Sequence, residues 1–229
     1  MDARKMLLFD IDGTLLLTGG AGRIAFEEVM EELFQAPNSW GELVPDGKTD
    51  PIIMEELAQK NIGRSLSATE HKVIKNRYHE IFAREINQSE RFRLLPGVPE
   101  LLAALDNQEA LLLGIATGNF ELAARLKLRR GGIDQFFPFG GFGSDADDRI
   151  TLTRIAFERG KARMNQRFDP SDVFVIGDTL YDIEAGKALG AKTIAVATGR
   201  TEESELATAN PTHLFPDLTD TSSFLRIVS

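Results

Sequence analysis

The stretch that decides the fold reads Met6-Leu7-Leu8-Phe9-Asp10-Ile11-Asp12-Gly13-Thr14-Leu15. Its apolar start is typical of a strand buried in a parallel sheet, which shows a continuous apolar run rather than an alternating one. Asp10 and Asp12 follow the run, and side chains two residues apart on an extended backbone point the same way. We therefore expect both carboxylates at the carboxyl end of a central strand, where open α/β sheets bind their ligands.

Two carboxylates held this close favour a metal site. The ionised groups repel each other, so each raises the pKa of its neighbour. A divalent cation removes that repulsion, and Mg²⁺ is the hard cation that suits carboxylate oxygens. The simpler alternative is a core strand that runs into a solvated acidic turn. A second acidic cluster downstream favours the metal site.

The composition is that of a folded globular protein. The chain has 229 residues, of which 42% are hydrophobic, enough for one large domain or a core with a small accessory domain. The net charge of −9 argues against nucleic acid or an anionic membrane as the main partner. The chain has no cysteine, which excludes disulfides and thiol catalysis. Because we find neither a signal-peptide pattern nor a long apolar run, we expect a soluble cytoplasmic protein.

Apolar patterns divide the chain into a helical part and an alternating part. Residues 16–93 show helical periodicity with no strand signal among them. Farther along, apolar strands at 110–116, 173–176 and 193–197 alternate with helices. Such alternation predicts right-handed crossovers and a doubly wound parallel sheet. The predicted fold is therefore α/β, with a helical module inserted after the first strand.

Polar residues follow two of the later strands. Thr117, Gly118 and Asn119 lie between a strand and a helix, where a hydroxyl and free backbone N–H groups form an anion site. The same tripeptide is also typical of an ordinary strand-to-helix turn. Asp178 lies where a third carboxylate can join a metal, and Asp182 follows one helical turn later on the same face. The alternative for Asp182 is an acid that favours a helix N-terminus.

Two motifs carry a resemblance to a known family. Asp10-Ile11-Asp12-Gly13-Thr14-Leu15 resembles the D-x-D-G-T-L opening of the haloacid dehalogenase-like hydrolases, most of which are Mg²⁺-dependent phosphatases. Gly177-Asp178-Thr179-Leu180-Tyr181-Asp182 resembles their G-D-x-x-x-D motif. The chain resembles the phosphoglycolate phosphatase-like branch, which has a helical cap. The resemblance implies a Rossmann-like catalytic core at 1–15 and 94–229, with the cap at 16–93.

The resemblance also implies a role for each acidic residue. Asp10 attacks phosphorus and becomes an aspartyl phosphate, while Asp12 protonates the leaving alcohol and then activates water. Mg²⁺ binds Asp10, Asp178 and the backbone carbonyl of Asp12. Asp182 supports these ligands without touching the ion.

The remaining implied groups bind the phosphoryl oxygens and the substrate. Thr117 and its loop hold the phosphoryl group together with one basic residue at the start of the helix before the last motif. Arg149 matches that place best, and Lys161, late in the same helix, is the alternative. The alternative explanation for Arg149 is a surface ion pair with Asp145 or Asp148. Lys48 and Thr49 lie where the cap of such relatives touches substrates, although a helix start there needs no functional reason.

The expected substrate is a small phosphorylated metabolite, which the sequence does not identify. A phosphomutase of the β-phosphoglucomutase type would use the same residues and return the phosphoryl group to a sugar. A receiver-like module would accept a phosphoryl group without turnover, and the helical insertion argues against it. A dehalogenase would need neither a second acid at Asp12 nor Mg²⁺. The oligomeric state stays open.

Overall fold

The computed structural model describes residues 5–164 and 169–228 of the chain. Its strands are β1 (Lys5–Phe9), β2 (Leu16–Leu17), β3 (Arg93–Leu94), β4 (Leu111–Thr117), β5 (Gly140–Phe142), β6 (Val173–Gly177), β7 (Lys192–Val196) and β8 (His213–Phe215). Its helices are α1 (Ala21–Phe34), α2 (Asp50–Ile62), α3 (Ala68–Gln88), α4 (Val98–Asp106), α5 (Glu121–Arg130), α6 (Arg149–Met164), α7 (Leu180–Leu189), α8 (Glu203–Thr208) and α9 (Thr221–Val228). Within the described ranges, none of the helices has the length and apolar character that a membrane span requires.

Six strands form one parallel sheet in the order β5-β4-β1-β6-β7-β8. The chain builds this sheet outward from β1 in both directions, so the sheet is doubly wound. The carboxyl ends of β1, β4 and β6 consequently meet at one edge, next to the point where the strand order reverses. The predicted α/β fold is confirmed.

The central strand β1 is buried on both faces. Leu7 and Phe9 pack into one apolar cluster with residues of α4, α5 and α9, whereas Met6 and Leu8 pack into another with residues of α6. Each fully buried side chain of this kind contributes about 1.5–3 kcal/mol to the free energy of unfolding. Burial on both faces is the reason for the unbroken apolar run in the sequence.

Helices α1, α2 and α3 share a second apolar cluster, which also includes Phe120 and Ala123 at the start of α5. Within it the ring of Phe26 stacks on that of Tyr78, with the two centroids 4.1 Å apart. The short strands β2 and β3 pair antiparallel at the two ends of this helical segment. Strands of two residues carry too little pattern to be predicted from sequence. The division into a core and a cap at 16–93 stays a prediction.

Candidate active site

Most of the predicted site residues, though not Thr49 or Asp182, line one cavity at the carboxyl ends of the central strands. Asp10 follows β1 and its backbone N–H donates to the carbonyl of Ile176, at the end of β6, over 2.9 Å. A cavity of about 710 Å³ opens here. The lining residues from our sequence predictions are Asp10, Asp12, Lys48, Thr117, Gly118, Asn119, Arg149 and Asp178.

Three buried carboxylates form the centre of the site. Asp10, Asp178 and Asp182 each offer an oxygen, and these oxygens all lie within 4.8 Å of one another. Burial raises the pKa of Asp10 to about 6, although the Arg149 charge opposes this shift. Burial, followed by repulsion from Asp10 and Asp182, raises the pKa of Asp178 to about 8. The ionised carboxylates therefore need a positive charge that the protein alone supplies only in part.

Asp10 and Asp178 fit the requirements of a metal ion. The Oδ1 atom of Asp10 is buried and accepts no well-formed hydrogen bond from the described residues. A Cβ atom at Gly13 or at Gly199 would overlap the carboxylate of Asp178, so only glycines let the chain approach it this closely. Thr14 fixes the same carboxylate through a 2.9 Å hydrogen bond from its hydroxyl to Oδ1.

Asp182 has its oxygens occupied by protein groups. The backbone N–H and the hydroxyl of Thr179 donate to its Oδ2 over 3.1 and 2.7 Å, which caps helix α7. Its Oδ1 accepts from Arg149. With both oxygens engaged, Asp182 is suited to hold Arg149 and the helix start rather than to bind an ion directly.

Arg149 is the basic residue that the fold brings to the carboxylates. It is the first residue of α6, and its Nη2 lies 2.9 Å from Oδ1 of Asp10 as well as against Asp182. Burial lowers the pKa of Arg149, but the attraction of Asp10 and Asp182 outweighs it and raises the pKa overall, so the group stays charged. Lys161, the alternative, pairs with Glu158 at 2.8 Å near the other end of the helix.

The strand-end loop has fewer free N–H groups than the sequence indicated. The Thr117 hydroxyl donates to Oδ1 of Asn119 over 3.2 Å. At the start of α5, however, the N–H of Phe120 donates to Oδ2 of Asp50 over 2.7 Å, and the N–H of Glu121 donates to Oγ of Ser144 over 3.0 Å. These two donors are therefore engaged within the protein and not available to an anion.

The N-terminus of α2 contacts this loop directly. The N–H of Asp50 donates to the carbonyl of Gly118 over 2.8 Å, and a Cβ atom at Gly118 would overlap the carbonyl of Lys48. The hydroxyl of Thr49 donates to the carbonyl of Asp147 over 3.0 Å. Lys48 lines the cavity and pairs with Glu56 at 2.5 Å. The Thr49 hydroxyl and the Lys48 ammonium each have a partner within the protein, and their contact with a substrate stays a prediction.

Two charged residues at the site were missed from the sequence. Lys127 Nζ lies 2.5 Å from Oδ2 of Asp12 and 3.0 Å from Oδ1 of Asn119. The available signal was its position four residues after Ala123, on the apolar face of α5. Asp50 is buried, with its pKa raised to about 6 by that burial, and in sequence it looks like an ordinary acid in the first turn of a helix.

The raised pKa values predict a pH-dependent effect of Mg²⁺ on stability. An acid whose pKa is higher folded than unfolded makes the folded state bind more protons, so its contribution to stability falls as the pH rises. For Asp10 and Asp178 this fall spans about pH 4 to about pH 8. The gain in Tm that Mg²⁺ gives over EDTA should therefore grow across that range, measured by thermal unfolding.

The Asp178→Asn variant is the control for this effect. Its gain in Tm should be small and nearly independent of pH, because one ionised carboxylate is gone. A gain of the same size at all pH values in the unchanged protein would contradict a metal bound by these groups.

Comparison with known proteins identifies similar chains. The sequence model of the haloacid dehalogenase-like hydrolases matches residues 5–190. A phosphoglycolate phosphatase of Haemophilus influenzae is 27% identical over 229 residues, covering 96% of this chain and 98% of the relative. The pyrophosphatase PpaX of Listeria innocua is 28% identical, covering 96% of this chain and 95% of the relative.

The fold is likewise shared with solved structures. The crystal structure of a predicted phosphoglycolate phosphatase from Haemophilus somnus 129PT superimposes with a TM-score of 0.73 and covers all of both chains. The two sequences are 21% identical, so this likeness concerns the fold alone.

Proposed function

Because the chain belongs to the haloacid dehalogenase-like hydrolases, we propose that it hydrolyses a small phosphorylated metabolite through an aspartyl phosphate at Asp10, with Mg²⁺ as its cofactor. Membership confirms the family resemblance and the enzyme class, a phosphoric monoester hydrolase. The observation that carries the proposal is the placement of Asp10. Its carboxylate lies between Arg149 and Asp178 at the floor of a cavity, with one oxygen that lacks a well-formed hydrogen bond.

The chemistry divides between the two opening aspartates. A carboxylate oxygen of Asp10 forms a bond to phosphorus while the ester P–O bond breaks, and Asp12 gives its proton to the leaving oxygen. In the second half, Asp12 takes a proton from water as that water attacks phosphorus. Inorganic phosphate leaves and the Asp10 carboxylate is restored. The side chain of Asp12 is 42% exposed, which gives it access to the cavity.

The residues around Asp10 balance the negative charge of the phosphoryl group and orient it. Asp10, Asp178 and the backbone carbonyl of Asp12 would hold Mg²⁺, which would supply positive charge to offset that of the nucleophile and the phosphoryl group. Arg149 and the Thr117 hydroxyl bind those oxygens, and an arginine offers two N–H groups where a lysine offers a point charge. The deep burial of Arg149 strengthens its attraction for an anion.

The positive charge at the rim of the cavity favours a substrate that carries a second anionic group. Four arginines line it with largely exposed side chains, namely Arg23, Arg91, Arg93 and Arg200. Among the described residues, Arg91 and Arg93 form no ion pair with an acidic side chain, unlike Arg23 and Arg200. In a protein of net charge −9, such a cluster attracts an anion to the site locally. A carboxylate or second phosphate on the leaving group fits this rim.

A substrate screen with and without metal tests the proposal. We expect Mg²⁺-dependent release of inorganic phosphate, abolished by excess EDTA and restored by Mg²⁺. Phosphoglycolate should exceed ethyl phosphate in kcat/KM by roughly tenfold, because the two esters differ by the carboxylate. Undiminished activity in EDTA would contradict the metal. An isomerised sugar phosphate without free phosphate would indicate the mutase instead.

A further inference from the structure

Lys127 is a buried charged residue at the site that the proposed mechanism does not use. We infer that Lys127 is a positioning residue, which holds the carboxylate of Asp12 against the leaving oxygen during both proton transfers. Because the assignment of Asp12 as acid and base belongs to the proposed function, the role of Lys127 rests on that function.

The geometry places the lysine behind the aspartate. The Lys127 side chain is 5% exposed and that of Asp12 is 42% exposed, although their charged atoms lie 2.5 Å apart. Both residues line the cavity, but Lys127 is the more buried of the two and contacts Asp12 from deeper in the protein. The ammonium also donates to Asn119 and lies 5.8 Å from the ring centroid of Phe82 in α3. These contacts fix the position of the ammonium group.

Stability alone does not explain the burial of this charge, although the ammonium also favours the ionised form of Asp50, whose pKa burial raises and the ammonium lowers. A buried ammonium costs several kcal/mol in lost hydration, and replacing a buried ion pair with apolar side chains is often neutral or stabilising. The neighbouring buried positions on the same helix face are Ala123, Ala124 and Leu128, so an apolar residue would suit position 127. The partner of the charge is instead the proposed acid–base residue.

An unrestrained Asp12 would lose its alignment. The Asp12 side chain rotates about two bonds, and without Lys127 no other described residue forms a hydrogen bond with its carboxylate. The first transfer delivers a proton to the leaving oxygen, and the second removes one from water at nearly the same place. Both steps need the carboxylate at one position, and misplacement by about 1 Å can cost 10²-fold in rate.

The Lys127→Met variant separates this role from a structural one. Methionine keeps the apolar stem, so the fold and substrate binding should survive. With an alkyl phosphate, kcat should fall by roughly 10²-fold while KM changes little, because the leaving group needs the proton. With 4-nitrophenyl phosphate, whose leaving group needs none, phosphorylation of Asp10 should persist. The variant should then show a burst of nitrophenolate and accumulate phosphoenzyme, detected by intact-protein mass spectrometry.

The absence of cysteine permits a matched chemical rescue. In the Lys127→Cys variant the unfolded chain is alkylated with 2-bromoethylamine, which rebuilds a side chain of lysine's length and charge, and is then refolded. Alkylation with 1-iodopropane gives the same length without charge. We expect the aminoethylated protein to regain most of its kcat on alkyl phosphates, and the propylated protein to behave like Lys127→Met. The Lys161→Met variant, which removes a half-buried lysine far from the cavity lining, should leave activity unchanged.

Three outcomes would overturn the inference. The first is an equal loss on alkyl and nitrophenyl esters with no burst, and the second is a change confined to KM. The third is recovery by propylation as complete as by aminoethylation, which would indicate packing alone. Failure of the proposed function is recognised separately, because the unchanged protein would then form no phosphoenzyme and release no phosphate.

Discussion

Asp10→Asn is expected to release no phosphate from any ester and to form no phosphoenzyme. The amide is a poor nucleophile, and among the described residues Asp10 is the carboxylate that lies between Arg149 and Asp178 at the cavity floor. The measurement is intact-protein mass spectrometry after brief exposure to acetyl phosphate and Mg²⁺. The substitution should not lower the stability of the metal-free protein, because burial raises the pKa of Asp10 and the ionised carboxylate is therefore destabilising in the folded state.

Asp12→Asn is the matched comparison for the nucleophile. It should still become phosphorylated by acetyl phosphate, whose leaving group needs no proton. The adduct should then decay slowly, because the base that activates water is missing, and turnover of alkyl esters should fall by about 10²–10⁴-fold. A phosphate adduct on the Asp10→Asn protein, or one mapped to Asp12, would reverse the two assignments.

Arg149→Met is expected to reduce both activity and stability. Removal of the guanidinium leaves Asp10 and Asp182 buried without their counterion, and breaking a buried pair of this kind costs about 3–5 kcal/mol. Loss of a preorganised charge beside the phosphoryl group should lower kcat/KM by about 10²–10³-fold or more. Urea unfolding measures the first effect and steady-state kinetics the second.

Lys161→Met is the control for this variant. Its ion pair with Glu158 is partly exposed, and such pairs contribute about 0–1 kcal/mol. Arg149→Lys should recover stability more fully than activity, since a lysine restores the charge without the planar fork of donors. A large kinetic loss in Lys161→Met with full activity in Arg149→Met would show that the basic residue of the site was assigned incorrectly.

The positions of the strands could be predicted because a strand that is buried on both faces has a continuous apolar run in the sequence. The apolar run at β1 and those at β4 and β6 each mark a strand with two buried faces, and the polar residues that follow them meet at one sheet edge. The side-chain arrangement beyond the strand ends was harder to predict. β1 ends at Phe9 and the chain turns at Gly13, where φ is +82°, so the rule for alternate residues no longer applies. Asp10 and Asp12 share the cavity but have different partners.

The missed residues depend on contacts between distant parts of the chain. Lys127 and Asp12 are 115 positions apart, and Asp50 and Phe120 are 70 apart. A sequence pattern read over one or two helical turns contains no information on such pairs. Within α5, Lys127 differs from a surface lysine only by its place on the buried face. Asp50 differs from an ordinary acid in the first turn of a helix only by its contact with the loop that precedes α5.

The carboxylate of Asp50 makes two helices depend on each other. It belongs to α2, yet it caps the N-terminus of α5 through the N–H of Phe120. Moving α2 away from the loop would uncap α5, and loss of an N-terminal cap costs about 0.5–2 kcal/mol, or roughly 2- to 30-fold in population. The contact between Asp50 and Phe120 thus stabilises this placement of α2 before any ligand binds. Because α2 is already held in place, less of the substrate's binding free energy is needed to order the site. More of that free energy can then distinguish one substrate from another.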